Sequence, residues 1–288
     1  MFFWNLLCAS LPLISVNGCA ELHDRSVYLV TNRQIQERSR NKFSKKRAPT
    51  LSYGVCESAS TADGLCDKDT WYQDLIRSPQ WQSDHQLIFF VHGYSMSYRK
   101  TRRIAIDMSR ELNRPVVFFS WPSQANPFAY SKDARAAKQT VPEVARVLRD
   151  LGSILGFENI IIVSHSMGAK IIQNTLELAG SSAAVELPAS GKIKAIYFCS
   201  PDISKSSFLL SAEVIKNQCS DAKIIASSHD IRIRISELLH GDKSIGLIRE
   251  NTLNCGGISI LPIDSQSKGD WGHAMPLGIL RTLIERKQ

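Results

Sequence analysis

Ile160-Ile161-Ile162-Val163-Ser164-His165-Ser166-Met167-Gly168 is the stretch whose reading decides the fold. Four β-branched residues in succession favour a short strand buried on both faces over a helical segment. The polar residues after them give way at once to Met167–Ala179, a run of helical composition. A strand that turns into a helix this abruptly forces the residue at its tip, Ser166, into a strained backbone conformation and lifts the hydroxyl above the sheet edge. Strand and helix approach closely at such a turn, so small residues are needed two positions before and after the tip. Gly168 meets that need, and Ser164 stands where a first glycine is usual. The turn also aims the Met167 N–H and the positive end of the helix at the Ser166 hydroxyl, where an oxyanion would form.

Outward from this point the chain alternates. Gln86–Val91, Pro115–Phe119, Lys192–Phe198 and Ala222–Ala226 are further short apolar runs, and Ile258–Leu261 reads as the last strand. Helical stretches lie between them: Ser97–Leu112, Ser131–Leu151 with a kink expected at Pro142, Ser206–Lys216, and a closing helix over Leu277–Ile284. Fully apolar strands alternating with helices predict an α/β fold, with a mostly parallel central sheet covered by helices on both faces. Ligands in such folds bind at the carboxyl ends of the strands. Upstream, Val27–Val30 reads as a strand and Leu51–Tyr53 as a candidate partner for it, while Trp71 and Trp81 read as either core or rim.

A second strand end joins the first. Phe89-Phe90-Val91 runs into His92-Gly93-Tyr94, where Gly93 permits a tight turn, the Tyr94 N–H is the candidate second oxyanion donor, and His92 reads as a structural residue holding the loop. Phe90-Val91-His92-Gly93-Tyr94, Phe119-Ser120-Trp121-Pro122-Ser123, Ser164-His165-Ser166-Met167-Gly168 and Ser200-Pro201-Asp202-Ile203 occur in that order. Together they resemble a bacterial α/β-hydrolase family catalogued as a domain of unknown function. Val27-Tyr28-Leu29-Val30-Thr31-Asn32-Arg33 and Leu51-Ser52-Tyr53-Gly54 resemble that family's opening segments, so the similarity spans nearly the whole chain after its first residues. The resemblance implies the α/β-hydrolase fold and leaves the substrate open. Trp121-Pro122-Ser123 reads as a packing and turn element lining the pocket.

A serine nucleophile needs a base with an acid behind it. Chain order in this fold is serine, acid, histidine, and only His229, His240 and His273 follow Ser166. His273 sits between the last expected strand and the last helix and is the base candidate, whereas His240 reads as a helix end. Asp230, after the Ala222–Ala226 run, is the acid expected first; Asp202, after the preceding strand, is the alternative, and Asp264 and Asp270 are blander candidates. These residues predict a serine hydrolase that cleaves an ester or thioester through an acyl-enzyme on Ser166. An acyltransferase acting on a lipid or glycan, and a non-catalytic binding protein on the same scaffold, remain as alternatives. No cofactor is implied.

Residues 1–18 carry no charge and have the size of a signal-peptide core, too short for a comfortable membrane span. Val16-Asn17-Gly18-Cys19 resembles a lipobox with Cys19 as the lipidated residue, so the expectation is an exported lipoprotein facing the periplasm. The division expected is a signal at 1–18, an N-terminal extension at 19–85 and a hydrolase core at 86–288. Seven cysteines offer no Cys-x-x-Cys pair or Cys/His cluster of metal-site spacing. Under export, Cys56 and Cys66 are candidates for a loop-closing disulfide, Cys219 and Cys255 are possible partners, and Cys199 reads as a buried thiol. The 288 residues, 43% hydrophobic and 22% charged, exclude disordered and fibrous classes. The net charge of +8 first invites nucleic acid, but no nucleic-acid module is present. Arg38, Arg40, Lys42, Lys45, Lys46 and Arg47 instead form one acid-free run, Arg38–Arg47, that suits an anionic membrane surface. The expected partners are therefore a small-molecule or lipid ester and such a surface, with the chain a monomer.

Overall fold

The apolar runs assemble into one ten-stranded sheet. The computed structural model describes residues 27–36, 43–56, 64–181, 191–249, 253–263 and 273–285. Segment 1–18, Cys19, Arg38, Arg40, Lys42, Asp264 and Asp270 lie outside the described residues. In chain order the elements are β1 (Val27–Ile35), β2 (Phe43–Cys56), β3 (Gly64–Cys66), α1 (Lys68–Arg77), α2 (Pro79–Asp84), β4 (Leu87–Val91), α3 (Tyr98–Leu112), β5 (Val116–Ser120) and α4 (Tyr130–Leu155). There follow β6 (Ile160–His165), α5 (Met167–Ser181), β7 (Ala195–Cys199), α6 (Lys205–Gln218), β8 (Ala222–Ala226), α7 (Ile231–His240), β9 (Asn254–Cys255), β10 (Ile258–Pro262) and α8 (Leu277–Glu285).

Strand order is β3-β2-β1-β5-β4-β6-β7-β8-β10-β9. From β1 to β10 every neighbouring pair in that order is parallel. Antiparallel pairing is confined to the edges, where β2 joins β1, β3 joins β2 and β9 joins β10. The N-terminal strands are therefore part of the same sheet as the core. Alternation along each strand divides the apolar residues between two layers. Phe89, Phe119, Ile162 and Phe198 pack with α1, α4, α5 and α6, while Phe90, Phe118, Val163 and Tyr197 pack with α3 and α8. All eight are buried, each contributing about 1.5–3 kcal/mol over the exposed state.

Trp71 and Trp81 belong to the core rather than the rim, and the Trp71 indole N–H donates to the Gly54 carbonyl at 3.1 Å. Helix α4 runs on through Pro142.

The expected Cys56–Cys66 disulfide is not made. Cys66 lies opposite Tyr53 in the β2–β3 ladder, and an odd separation of three along β2 puts Cys56 on the other side of the sheet. Cys56 packs in the α3 layer beside Tyr98, and Cys66 packs against the opposite layer. None of Cys56, Cys66, Cys219 and Cys255, the last two being the other possible partners, is joined in a disulfide. Lys45, Lys46 and Arg47, the last residues of the basic run, lie in β2.

Candidate active site

The candidate residues stand on connections that leave the carboxyl edge of the parallel strands. Ser166 occupies the turn between β6 and α5 with φ at 52°, a left-handed conformation costing a non-glycine residue about 1–2 kcal/mol. It is held there from several sides. Its N–H donates to the Cys199 carbonyl at 3.0 Å, and its own carbonyl accepts from Ala169 N at 3.0 Å and Asp202 N at 3.2 Å. A Cβ on Gly168 would lie 2.4 Å from the Val91 oxygen and 2.5 Å from the His92 oxygen, so no larger residue fits. Ser164, by contrast, fits in place of glycine, buried with its hydroxyl reaching the Tyr197 carbonyl at 3.5 Å.

His273 and Asp230 meet. The imidazole Nδ1–H donates to Asp230 Oδ2 at 2.7 Å, with both side chains buried. The second carboxylate oxygen, Oδ1, accepts from Ile233 N at 3.0 Å as the N-cap of α7. A helix cap thus fixes the acid, and the acid fixes the imidazole with Nε2 left for other work. Asp202 is spoken for elsewhere: its oxygens accept from the Tyr130 hydroxyl and the Ser236 hydroxyl, each at 2.7 Å. Partly buried beside this carboxylate, the Tyr130 phenol is pushed well above its usual range, burial being the larger cause. His229 contacts the Ser228 hydroxyl at 2.8 Å.

His165, immediately before the serine, carries a role that its sequence context did not signal. Its Nε2–H donates to the backbone carbonyl of His273 at 2.9 Å, and the two rings lie 4.7 Å apart. Burial, and next the neighbouring His273, push the His165 imidazole down to about 3. A neutral His165 therefore ties the serine turn to the histidine loop.

The loop after β4 lies directly against the serine, since a Cβ on Gly93 would come 2.8 Å from Ser166 Cβ. His92 is buried, stacks on Trp121 at 4.9 Å with the rings 4° from parallel, and donates from Nδ1 to the Gly93 carbonyl at 2.7 Å. Trp121 returns a bond from its indole N–H to the His92 carbonyl at 2.8 Å. Burial first, and Arg33 second, lower the His92 pKa to about 3, so it stands neutral as a brace. Trp121-Pro122-Ser123 accordingly supports this loop from behind.

Two charged residues absent from the sequence-based candidate set complete that support. The buried Asp133 carboxylate accepts from Ser95 N at 2.9 Å, Ser123 Oγ at 2.6 Å and Gln124 N at 2.7 Å. The Arg33 guanidinium, also buried, donates to Ser120 Oγ at 2.9 Å, Met96 O at 3.1 Å, Ser44 O at 3.2 Å and Ser123 O at 3.3 Å. Burial lowers its pKa to about 10 against the opposing pull of Asp133. Together they stitch the loops after β4 and β5 to the ends of β1 and β2. The Tyr94 ring meets Tyr130 edge-on at 5.4 Å. Met167, the first residue of α5, is buried, and the opening N–H groups of a helix have no intrahelical acceptor. Among the described residues no cluster of His, Cys, Asp or Glu could hold a metal ion.

A parallel sheet with a strained serine on a strand-to-helix turn, a glycine loop against it and a histidine–aspartate pair at the same edge defines an α/β-hydrolase arrangement. Residues 67–255 match the profile of the family described as "Alpha/beta hydrolase of unknown function (DUF900)", and the chain belongs to that family. No curated protein matches significantly. Solved structures with a similar chain path include the ydeN gene product of B. subtilis, at 14% identity and a TM-score of 0.40, covering 70% of this chain and 97% of that one. The Francisella virulence factor BioJ aligns at 11% identity and a TM-score of 0.42, covering 82% and 81%. A lipase/esterase from Lactobacillus plantarum aligns at 11% identity and a TM-score of 0.41, covering 84% and 95%.

Proposed function

We propose that the protein is a serine hydrolase that cleaves an ester or thioester through an acyl-enzyme on Ser166. The observation that carries this reading is the buried 2.7 Å His273–Asp230 hydrogen bond on the sheet edge that also holds the left-handed Ser166. His273 Nε2 takes the hydroxyl proton as Ser166 Oγ attacks the carbonyl carbon. The resulting oxyanion is held by the N–H groups of Tyr94 and Met167. His273 then gives the proton to the departing alcohol or thiol, leaving the acyl group on Ser166. A water molecule, deprotonated by the same imidazole, attacks the acyl carbon, and the acid leaves as Ser166 regains its proton. Asp230 orients His273 and stabilises the imidazolium without becoming protonated. Preference for an oxygen or sulfur ester over an amide follows the fold's commonest chemistry.

The test is covalent labelling by a fluorophosphonate probe, with activity on p-nitrophenyl esters of graded chain length. Label on Ser166, lost in Ser166→Ala along with ester turnover, is the expected result; folded protein that takes no label overturns the proposal. Export with a lipid on Cys19 is proposed alongside it. Incorporation of a radiolabelled fatty acid that survives Cys19→Ala would exclude that modification.

A further inference from the structure

The carboxyl edge of the sheet is ringed by side chains that a water-facing surface does not favour. On α7, which begins directly after Asp230, Ile231 is 42% exposed, Ile235 48% and Leu238 85%. Their spacing of four and three residues puts them on one helical stripe, with Ile233 and Ser236 buried on the other side. Phe128, in the connection between β5 and α4, is 95% exposed. The two apolar points flank the same opening, because Tyr130 at the start of α4 and Ser236 of α7 both bond Asp202. Apolar side chains gathered around a site mouth mark a surface that meets something less polar than water.

The exposed charges around them are mostly basic; the acids at the opening are Asp242 and Glu237, and Glu237 is paired with Arg249. Lys45 and Lys46 of β2 are exposed, and the Lys45 carbonyl accepts from the Gln124 side chain at 3.0 Å, which ties them to the Phe128 connection. Lys132 is exposed in the first turn of α4, and the exposed Arg234 lies on the α7 stripe itself. The exposed acid beyond α7, Asp242, is followed at once by exposed Lys243. We infer that this rim docks on an anionic lipid surface, with Phe128 and the α7 stripe in the headgroup layer and the lysines against acidic headgroups. A nucleic acid would meet the lysines but gain nothing from Leu238 and Phe128. A second copy of the chain would set like charges against each other. Only an anionic bilayer uses both features. Docked this way, the sheet edge that carries Ser166 faces the membrane.

This inference rests on the rim and not on the hydrolase reading, so the inactive full-length Ser166→Ala protein serves as the parent for its test. Phe128→Trp is added to that parent, and quenching by doxyl-labelled lipid is compared with and without the new tryptophan. Vesicles of phosphatidylcholine alone are set against an equimolar mixture with phosphatidylglycerol. Quenching specific to residue 128 is expected on the anionic vesicles only, and it should weaken as salt is raised. Leu238→Glu, at an exposed position, should abolish it, and the double change Lys45→Glu with Lys46→Glu should lower partitioning by about tenfold or more. Protein that sediments with anionic vesicles while residue 128 stays unquenched is held by another segment, and the inference fails. Equal quenching on neutral vesicles, or self-association that shields residue 128 without lipid, overturns it too.

Discussion

Asp133→Asn preserves the shape of a side chain while removing its charge and one acceptor oxygen. Asp133 is fully buried and accepts three hydrogen bonds, two on Oδ2 and one on Oδ1. The amide of asparagine can satisfy one of these sets; its NH2 group then faces donors on the other. A hydrogen bond to a charged group contributes about 1.5–3 kcal/mol, and a stranded buried donor costs about 1–3 kcal/mol. Arg33 also loses an opposing charge inside the protein. Roughly 2–5 kcal/mol therefore falls on the contact between the loops after β4 and β5. Ser95, one of the released donors, adjoins Tyr94, so the loss reaches the proposed oxyanion site. Removing one oxyanion donor typically lowers kcat by about 10²–10³-fold.

The assay measures kcat and KM separately on a p-nitrophenyl ester, with urea unfolding in parallel. The expected outcome is a kcat at least about 10²-fold lower, with KM within about threefold of the parent and the protein still folded at assay temperature. Ser123→Ala should produce part of the same loss, and the double variant should fall short of additivity because Ser123 and Asp133 share a bond. A variant that loses stability but keeps kcat within about threefold would refute the positioning role and leave Asp133 a plain structural brace.

Ser166→Gly should raise stability by about 0.5–1 kcal/mol, since relief of the left-handed strain outweighs the entropic cost of glycine. A glycine variant less stable than Ser166→Ala in urea would contradict that account of the turn. Gly168→Ala drives a methyl group into two carbonyl oxygens and should cost about 1–3 kcal/mol or prevent folding, read from the urea midpoint. An unchanged midpoint would mean that β4 and α5 can move apart. The pH dependence follows from His92 and His165, both buried with pKa values lowered to about 3. Above about pH 6.5 the imidazoles are neutral in folded and unfolded chains alike, and the native state holds its full stability. Below that value the unfolded chain binds protons that the folded one refuses, so stability falls as pH drops towards 3, by up to about 1.4 kcal/mol per pH unit for each histidine. A His165→Asn variant whose acid slope matches the parent's would exclude His165 as a source.

What the sequence revealed, and what it hid, divides by the range of the interactions. The strands and the serine turn were legible because their causes are local: β-branched runs, a helix starting at Met167, a glycine two residues past the tip. Arg33 and Asp133 were not, because Arg33 bonds Ser123 across 90 positions and Asp133 bonds Ser95 across 38, distances at which a single sequence carries no pairing signal. The cysteines show the reverse error. Cys56 and Cys66 are close along the chain, yet the pleat assigns them to opposite layers. The choice of acid is the sharpest case, for Asp202 and Asp230 both follow parallel strands at the right edge. Each carboxylate has two oxygens, and what separates the residues is how many other donors claim them. Tyr130 and Ser236, 72 and 34 positions from Asp202, take both of its oxygens. Ile233, three residues from Asp230 and in the same helix cap, takes one and leaves the other for His273. If that count governs the pairing, the double change Tyr130→Phe with Ser236→Ala frees Asp202 without moving His273. An Asp230→Asn variant should then regain turnover when that double change is added, and failure of the rescue would show that position rather than donor count selects the acid.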